Sequence, residues 1–290
     1  MTLLPGIVFP SSPVQSDALT AGLRILPDHR LFSTAPCQWP FLAGSDRDRT
    51  KSVCEALGDP EVGILVAARG GHGALRLDRE RILGALREHP KPILGFSDVT
   101  ALHFLWQSAG VPSICGPNVT QLPSLPEDQI ERIRRLIRSG ELSPLRVRLE
   151  PLGDAVSGVI EGPMAGGNLT VAASAAGTPW SGSYAGRIVF LEEIREAPYR
   201  LDRMLWQLFA GTELGCAAAI VFGEFIECSG LRMELVTETC RQFAPGVPLF
   251  SGFPSGHGAS DVAFVSGLEA RIEGPSCVLT QPSFRFFPKP

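Results

Sequence analysis

The sequence predicts an α/β protein whose first half is built on a parallel, doubly wound sheet, and three observations carry that expectation. Val62–Ala68 (VGILVAA) is an uninterrupted apolar run of strand length, the pattern of a strand buried on both faces. Strand-like and helix-like segments alternate along the first half, as parallel strands joined by crossover helices require. The second half is denser in β signals, which suggests a second β/α domain.

Gly6–Phe9 is a short apolar strand ending at Pro-Ser-Ser-Pro, and a helix is expected next over Val14–Leu26. Asp46–Leu57 reads as a helix stopped by Gly58. After the Val62–Ala68 strand, Glu80–Glu88 is helical, Pro92–Phe96 (PILGF) is the next strand and Val99–Gln107 the next helix. Pro126–Gly140 is amphipathic. Ile130, Ile133 and Ile137 mark its apolar face, acids fill its first turn, and Arg134, Arg135 and Arg138 come late, matching the helix dipole. Leu142–Gly158 is mixed in character and reads as the crossover, dividing the chain into 1–140, a 141–158 linker and 159–290. Beyond it, strands are expected at Arg187–Glu192, Ala218–Phe225, Val247–Phe253, Glu269–Glu273 and Cys277–Thr280. Helices are expected at Tyr199–Phe209 and Met233–Phe243.

Composition narrows the function. In 290 residues, 44% apolar and 19% charged, there is enough apolar material for a core and too little charge for disorder. A net charge of -4 without a basic stripe argues against nucleic acid as partner. Gly162–Tyr184, a long uncharged stretch, is too rich in Gly, Ala and Ser for a membrane helix. The N-terminus lacks a basic region and carries prolines, so it reads as strand and turn rather than signal peptide. Seven scattered cysteines without C-x-x-C spacing read as reduced thiols of a cytoplasmic protein, not a disulfide framework or zinc site.

Three loops can carry chemistry. Gly95-Phe96-Ser97-Asp98-Val99 joins a buried strand to a helix, the setting of a nucleophile elbow, although Val99 replaces the second glycine of G-x-S-x-G. The commoner use of Ser97 or Asp98 at such a place is as a helix N-cap. Arg69-Gly70-Gly71-His72-Gly73 follows the Val62–Ala68 strand, and its glycines let backbone N–H groups approach a ligand; a tight turn is the plainer alternative. Gly256-His257-Gly258 holds a histidine between glycines, with little packing of its own. His103 stands six residues along the helix from Ser97, roughly 9 Å at ~1.5 Å per residue, out of reach of it, whereas His72 remains a rival base. Glu192, Glu193 and Glu196 can supply the acid that orients such a base. Alternation along a strand points Glu192 and Glu193 in different directions, so only one of them should meet the histidine.

These loops, with Pro10-Ser11-Ser12-Pro13, Ala43-Gly44-Ser45-Asp46, Arg49, Gly116-Pro117, Gly166-Gly167-Asn168-Leu169, Gly177-Thr178-Pro179, Leu191-Glu192-Glu193-Ile194 and Pro198–Leu205, form an ordered pattern. It resembles the serine L,D-carboxypeptidases of peptidase family S66, which include muramoyltetrapeptide carboxypeptidases and microcin C immunity peptidases. The resemblance implies an N-terminal flavodoxin-like three-layer domain, a C-terminal swivelling β/α domain, and a homodimer with no metal and no cofactor. It implies Ser97 as nucleophile, His257 as base and Glu192 as its partner. The backbone N–H groups of Asp98 and of Gly70 or Gly71 would be the oxyanion donors. His72, where tyrosine is usual, and Asn118, where methionine is common, would line the substrate cleft with Arg69. The implied reaction is release of D-alanine from a murein tetrapeptide in peptidoglycan recycling. The alternatives are a microcin-type peptidase acting on peptidyl-nucleotides and a non-catalytic binding protein on the same fold.

Overall fold

The structure is a computed structural model that describes residues 4–35, 37–153, 156–258 and 262–286. The chain divides into two compact units. The first runs to Ser143 and takes the chain back from Ser283; the second is Pro144–Pro282.

The first unit contains β1 (Leu4–Val8), α1 (Ser16–Leu23), β2 (Arg30–Phe32), α2 (Asp46–Gly58), β3 (Val62–Ala67), α3 (Arg79–Glu88), β4 (Ile93–Gly95), α4 (Thr100–Ser108), β5 (Ser113–Cys115) and α5 (Glu127–Ser139). These strands run parallel in the order β2-β1-β3-β4-β5, the flavodoxin-like winding. Every residue of β3 is buried, which is why its sequence is apolar throughout rather than alternating. Two helix starts are capped by side chains: Ser45 accepts from Asp48 N and Asp78 from Arg81 N. Helix α5 stops where Gly140 takes a left-handed φ of 65°. The short β2 and β5 carry too few residues to show a pattern, and neither is predicted from the sequence.

The second unit begins inside the expected linker, with β7 (Leu145–Arg148) and β8 (Glu150–Pro151); just before it, β6 (Glu141–Leu142) pairs with β16 (Phe284–Arg285) in the first unit. It continues with β9 (Val159–Asn168), α6 (Leu169–Ala175), β10 (Ile188–Ile194), α7 (Pro198–Gly211), β11 (Ala219–Ile226), α8 (Met233–Phe243), β12 (Leu249–Ser251), β13 (Phe264–Ser266), β14 (Glu269–Glu273) and β15 (Val278–Gln281). Among the described residues an eight-stranded sheet runs β7-β15-β14-β9-β10-β11-β12-β8. Its middle strands β9 to β12 are parallel, linked through α6, α7 and α8, and antiparallel strands flank them. The β7–β8 segment is therefore part of a sheet, not a free crossover. Leu145 and Val147 face inward while Arg146 and Arg148 face out, an alternation too short to stand out in sequence.

Each unit has one packing feature that holds its loops in place. Phe190, Phe253 and Phe264 pack as tilted and edge-to-face rings at the centre of the second unit, fixing β10 against the chain that leads to His257. In the first unit Arg49 is fully buried and donates to the carbonyls of Pro10, Gly44 and Gly73, with Asp46 Oδ1 at 2.5 Å from its Nη2. One guanidinium thus ties the Pro10–Pro13 turn, the Ala43–Asp46 turn and the glycine loop together, and its loss would strand three buried carbonyls.

Candidate active site

The functional residues predicted from sequence fall into two groups, one in each unit. In the first, strand β4 ends at Gly95, and residues Ser97–Val99 form a single 3₁₀ turn that leads into α4. Ser97 has φ of 63°, a left-handed backbone that costs a non-glycine residue about 1–2 kcal/mol and that a helix N-cap does not adopt. The turn is tight enough that a Cβ at Gly95 would lie 2.7 Å from a Val99 methyl, so only glycine fits before it. Asp98 is buried and its Oδ2 accepts from Ala74 N at 2.8 Å, tying the elbow to the far end of the glycine loop.

The glycine loop lies against this turn. A Cβ at Gly70 would come within 2.9 Å of the Ser97 Cβ, so the backbone of residue 70 passes directly beside the serine. Ser12 N donates to Gly70 O, and Ser12 Oγ accepts from His72 N at 3.0 Å, which fixes the loop from its other side. Arg69 donates to Pro13 O, and the His72 ring is exposed, 5.9 Å from the Phe41 ring. Asn118, 3% exposed, turns inward: its Oδ1 accepts from Phe96 N at 3.1 Å and its Nδ2 donates to Gln121 Oε1 at 2.9 Å. His103 is buried behind the elbow between Gly95 O (3.0 Å) and Ser113 Oγ (2.8 Å), and burial lowers its pKa to about 4. It is a neutral structural histidine.

In the second unit, His257 Nδ1 lies 2.9 Å from Glu192 Oε2. The carboxylate is fully buried and the ring 19% exposed. With Nδ1–H donating its hydrogen bond to Glu192, Nε2 keeps its lone pair, the tautomer a general base needs. Burial raises the Glu192 pKa, opposed by the hydrogen bond and charge of His257 and by the hydrogen bond from Asn168, and reinforced by Glu193.

Glu192 meets the histidine, as the expectation that one of the two acids does so requires, but the neighbouring acids are not kept apart. The Asn168 amide donates to Glu192 Oε1 at 3.1 Å and to Glu193 Oε1 at 3.0 Å, so neighbouring carboxylates converge on one side chain. The register between β10 and β11 is irregular at the same place. Leu191 pairs with Phe222 but Glu193 with Phe225, so Gly223 and Glu224 of β11 together face the single residue Glu192. This is a β-bulge whose extra residue lies on β11, so it is that strand, rather than β10, that the bulge bends. Glu193 is not a solvated charge: it is buried and also accepts from Thr170 N and Thr170 Oγ1, both at 2.7 Å, and from Ile194 N. Glu196 reaches Arg200 instead, at 3.4 Å. The sequence pattern assigns no separate role to Asn168 or Thr170. A signal is present, since Asn168 caps α6 by accepting from Val171 N, but the helix it opens is short and made of small residues.

Among the described residues no disulfide joins any of the seven cysteines, no cluster of His, Cys, Asp and Glu could hold a metal and no helix is long and apolar enough to cross a membrane.

Comparison with known proteins divides along the same two units. The family model described as LD-carboxypeptidase N-terminal domain matches residues 6–116, and the one described as LD-carboxypeptidase C-terminal domain matches 161–272. The murein tetrapeptide carboxypeptidase of Pseudomonas aeruginosa is 34% identical over 287 residues, covering 92% of each chain. The microcin C7 self-immunity protein of Escherichia coli is 21% identical over 80% of this chain. Among solved structures, muramoyltetrapeptide carboxypeptidase from Oxalobacter formigenes superposes with a TM-score of 0.83 at 26% identity, covering 98% of this chain and 99% of that one.

Proposed function

The chain belongs to the LD-carboxypeptidase family, and on that premise we propose that it is a serine L,D-carboxypeptidase releasing the terminal D-alanine of murein tetrapeptides in peptidoglycan recycling. The observation that carries the reading is the left-handed backbone of Ser97 at the end of a buried strand. Strain of this kind is kept where a side chain must be presented to a reacting group.

In the proposed mechanism His257, held in one tautomer by Glu192, takes the Ser97 proton as the hydroxyl attacks the last peptide carbonyl. The N–H groups of Asp98 and of Gly70 or Gly71 stabilise the oxyanion, each such donor supplying about 3–4 kcal/mol. The imidazolium then protonates the departing amine of D-alanine. Water, deprotonated by the same histidine, releases the acyl group from Ser97. The steps need no metal or cofactor. Arg69 and His72 are the proposed substrate contacts, with Asn118 beside them, although its amide is committed to Phe96 and Gln121. Thiols outside any disulfide suit a reducing cytoplasm, and we take the working form to be a homodimer, as the resemblance implies.

Cleavage of a peptidyl-nucleotide is the second reading. Higher identity to the murein tetrapeptide carboxypeptidase (34%) than to the microcin C7 self-immunity protein (21%) favours the first. Incubation with murein tetrapeptides differing only in the last stereocentre, followed by mass spectrometry, tests both. Loss of one alanine from the D-form, abolished in Ser97→Ala and unaffected by EDTA, is the expected result. Cleavage of peptidyl-nucleotides alone would move the assignment.

A further inference from the structure

We propose that Glu224 is a positioning residue that clamps the loop carrying His257 and so sets the ring against Glu192; the inference rests on the reading of His257 as the general base.

The observations begin with the bulge in β11. Because Gly223 and Glu224 together oppose the single residue Glu192, the chain there is out of register with β10. Glu224 meets the loop carrying His257 on both sides of the histidine. Its backbone N donates to Ser255 O at 3.0 Å, two residues before His257. Its carboxylate Oε2 accepts from Gly258 N at 2.9 Å, one residue after it. Ser255 is fully buried, so the first bond is shielded from water. His257 is thus suspended between two hydrogen bonds from one residue, and that residue sits beside the strand position of Glu192.

The same contact explains the glycines of the motif. A Cβ at Gly256 would lie 2.7 Å from the Glu224 Cβ, and one at Gly258 would collide with the Glu224 carboxylate. Gly256 also has φ of 155°. Gly258 does not have a left-handed backbone, so at that position the carboxylate is what excludes a side chain. Gly256-His257-Gly258 is therefore the footprint of Glu224 on the loop. The bond that matters is the acceptor offered to Gly258 N, which glutamine can also offer and alanine cannot.

The test uses the whole chain and compares Glu224→Ala, Glu224→Gln, Gly258→Ala and the Glu224→Ala/Gly258→Ala double variant. Two readouts are taken: kcat and KM on murein tetrapeptide, and the proton NMR signal of His257 Hδ1 in its bond to Glu192. A loop shifted by about an ångström should lower kcat about 10- to 100-fold in Glu224→Ala, with KM little changed and the Hδ1 signal lost. Glu224→Gln should recover kcat to within a few-fold and keep the signal. Gly258→Ala should lose both, and the double variant should be no worse than Glu224→Ala alone, because the two changes disturb one contact. Normal kcat and an intact signal in Glu224→Ala would overturn the clamp. So would Glu224→Gln failing as badly as alanine, since charge rather than the hydrogen bond would then be at work. If Glu224→Ala does not fold, Glu224→Gln and Gly258→Ala decide the question by themselves. The NMR readout needs no substrate. A chain that leaves tetrapeptides intact yet shows this pattern of signals keeps the clamp and loses the proposed reaction.

Discussion

The surroundings of Ser97 and those of His257 are ordered by different means. Around Ser97 the polar groups are mostly backbone: a left-handed turn, the glycine loop pressed against it, and N–H groups tied by Asp98 and Ser12. Around His257 they are side chains, with two buried carboxylates gathered on the Asn168 amide and a third on the loop. A backbone-built region tolerates changes of side chain but not of glycine. A region built from buried carboxylates responds to loss of any one acceptor, because each leaves a donor unpaired at a cost of about 1–3 kcal/mol.

The largest effect should come from the one side chain in the first region that the mechanism uses. Ser97→Ala is expected to reduce tetrapeptide turnover by about 10⁴-fold or more. Its thermal unfolding midpoint should stay near that of the parent, since alanine keeps the Cβ that packs beside Gly70. Turnover close to normal in a folded variant would dissolve the comparison by removing the nucleophile.

The second region is sharpened by its two neighbouring acids. Glu192→Gln should cost about 10²–10³-fold in kcat, because the amide no longer stabilises the imidazolium as a carboxylate does. Glu193→Gln should act mainly on stability, by about 1–3 kcal/mol in a denaturant titration, since its Oε2 accepts from both Thr170 N and Thr170 Oγ1 and an amide nitrogen there would face donors. A larger loss of kcat from Glu193→Gln than from Glu192→Gln would show that the wrong acid orients the histidine.

The two regions also differ in how far the sequence reveals them. The elbow and glycine loop are legible because a buried strand followed by a glycine turn and a helix is a local pattern, and so is the parallel winding of the first unit. The Glu192 network is not. Its Asn168 sits at the end of β9, inside the uncharged Gly162–Tyr184 stretch where small residues give no period, so neither β9 nor α6 is predicted from sequence. Strand alternation separates Glu192 from Glu193, and only the folded position of the Asn168 amide discloses that both carboxylates meet on it. The expected linker fails for a related reason: β7 and β8 are too short to carry a pattern and gain their strand character from distant partners.

His103 tests whether the backbone-built region hides an ionisable dependence of its own. Its folded pKa, about 4, lies below the ordinary 6.5 because burial disfavours the charged ring. Between those values the unfolded chain binds a proton that the folded chain does not. The stabilising contribution is therefore complete above pH 6.5 and falls away as the pH drops toward 4. At ~1.4 kcal/mol per unit it amounts to about 3 kcal/mol. Unfolding free energies measured at pH 4.5 and 7 should change less in His103→Gln than in the parent. Equal slopes would mean that the ring is protonated in the fold.

Asn118 is where the comparison is most open to correction, because its amide is a side-chain device inside the backbone-built region. The resemblance places it in the substrate cleft, yet its Oδ1 accepts from Phe96 N at 3.1 Å and its Nδ2 donates to Gln121 Oε1, while Gln121 Oε1 also accepts from Asn118 N. Phe96 is the residue before Ser97, so the amide braces the peptide that leads into the strained turn. Methionine at 118 is a larger side chain and offers no acceptor for Phe96 N. If bracing is the role, Asn118→Met should lower kcat about 10-fold through a slackened elbow and leave KM near its parent value. The unfolding free energy should fall by about 1–3 kcal/mol as the buried N–H loses its partner. If Asn118 touches substrate, KM should rise while kcat holds, because binding energy common to ground and transition states is what is removed. Steady-state kinetics over a range of tetrapeptide concentrations separates the two outcomes. A pure rise in KM would return Asn118 to the cleft and leave the Ser97 turn held by its backbone and the Asp98 carboxylate.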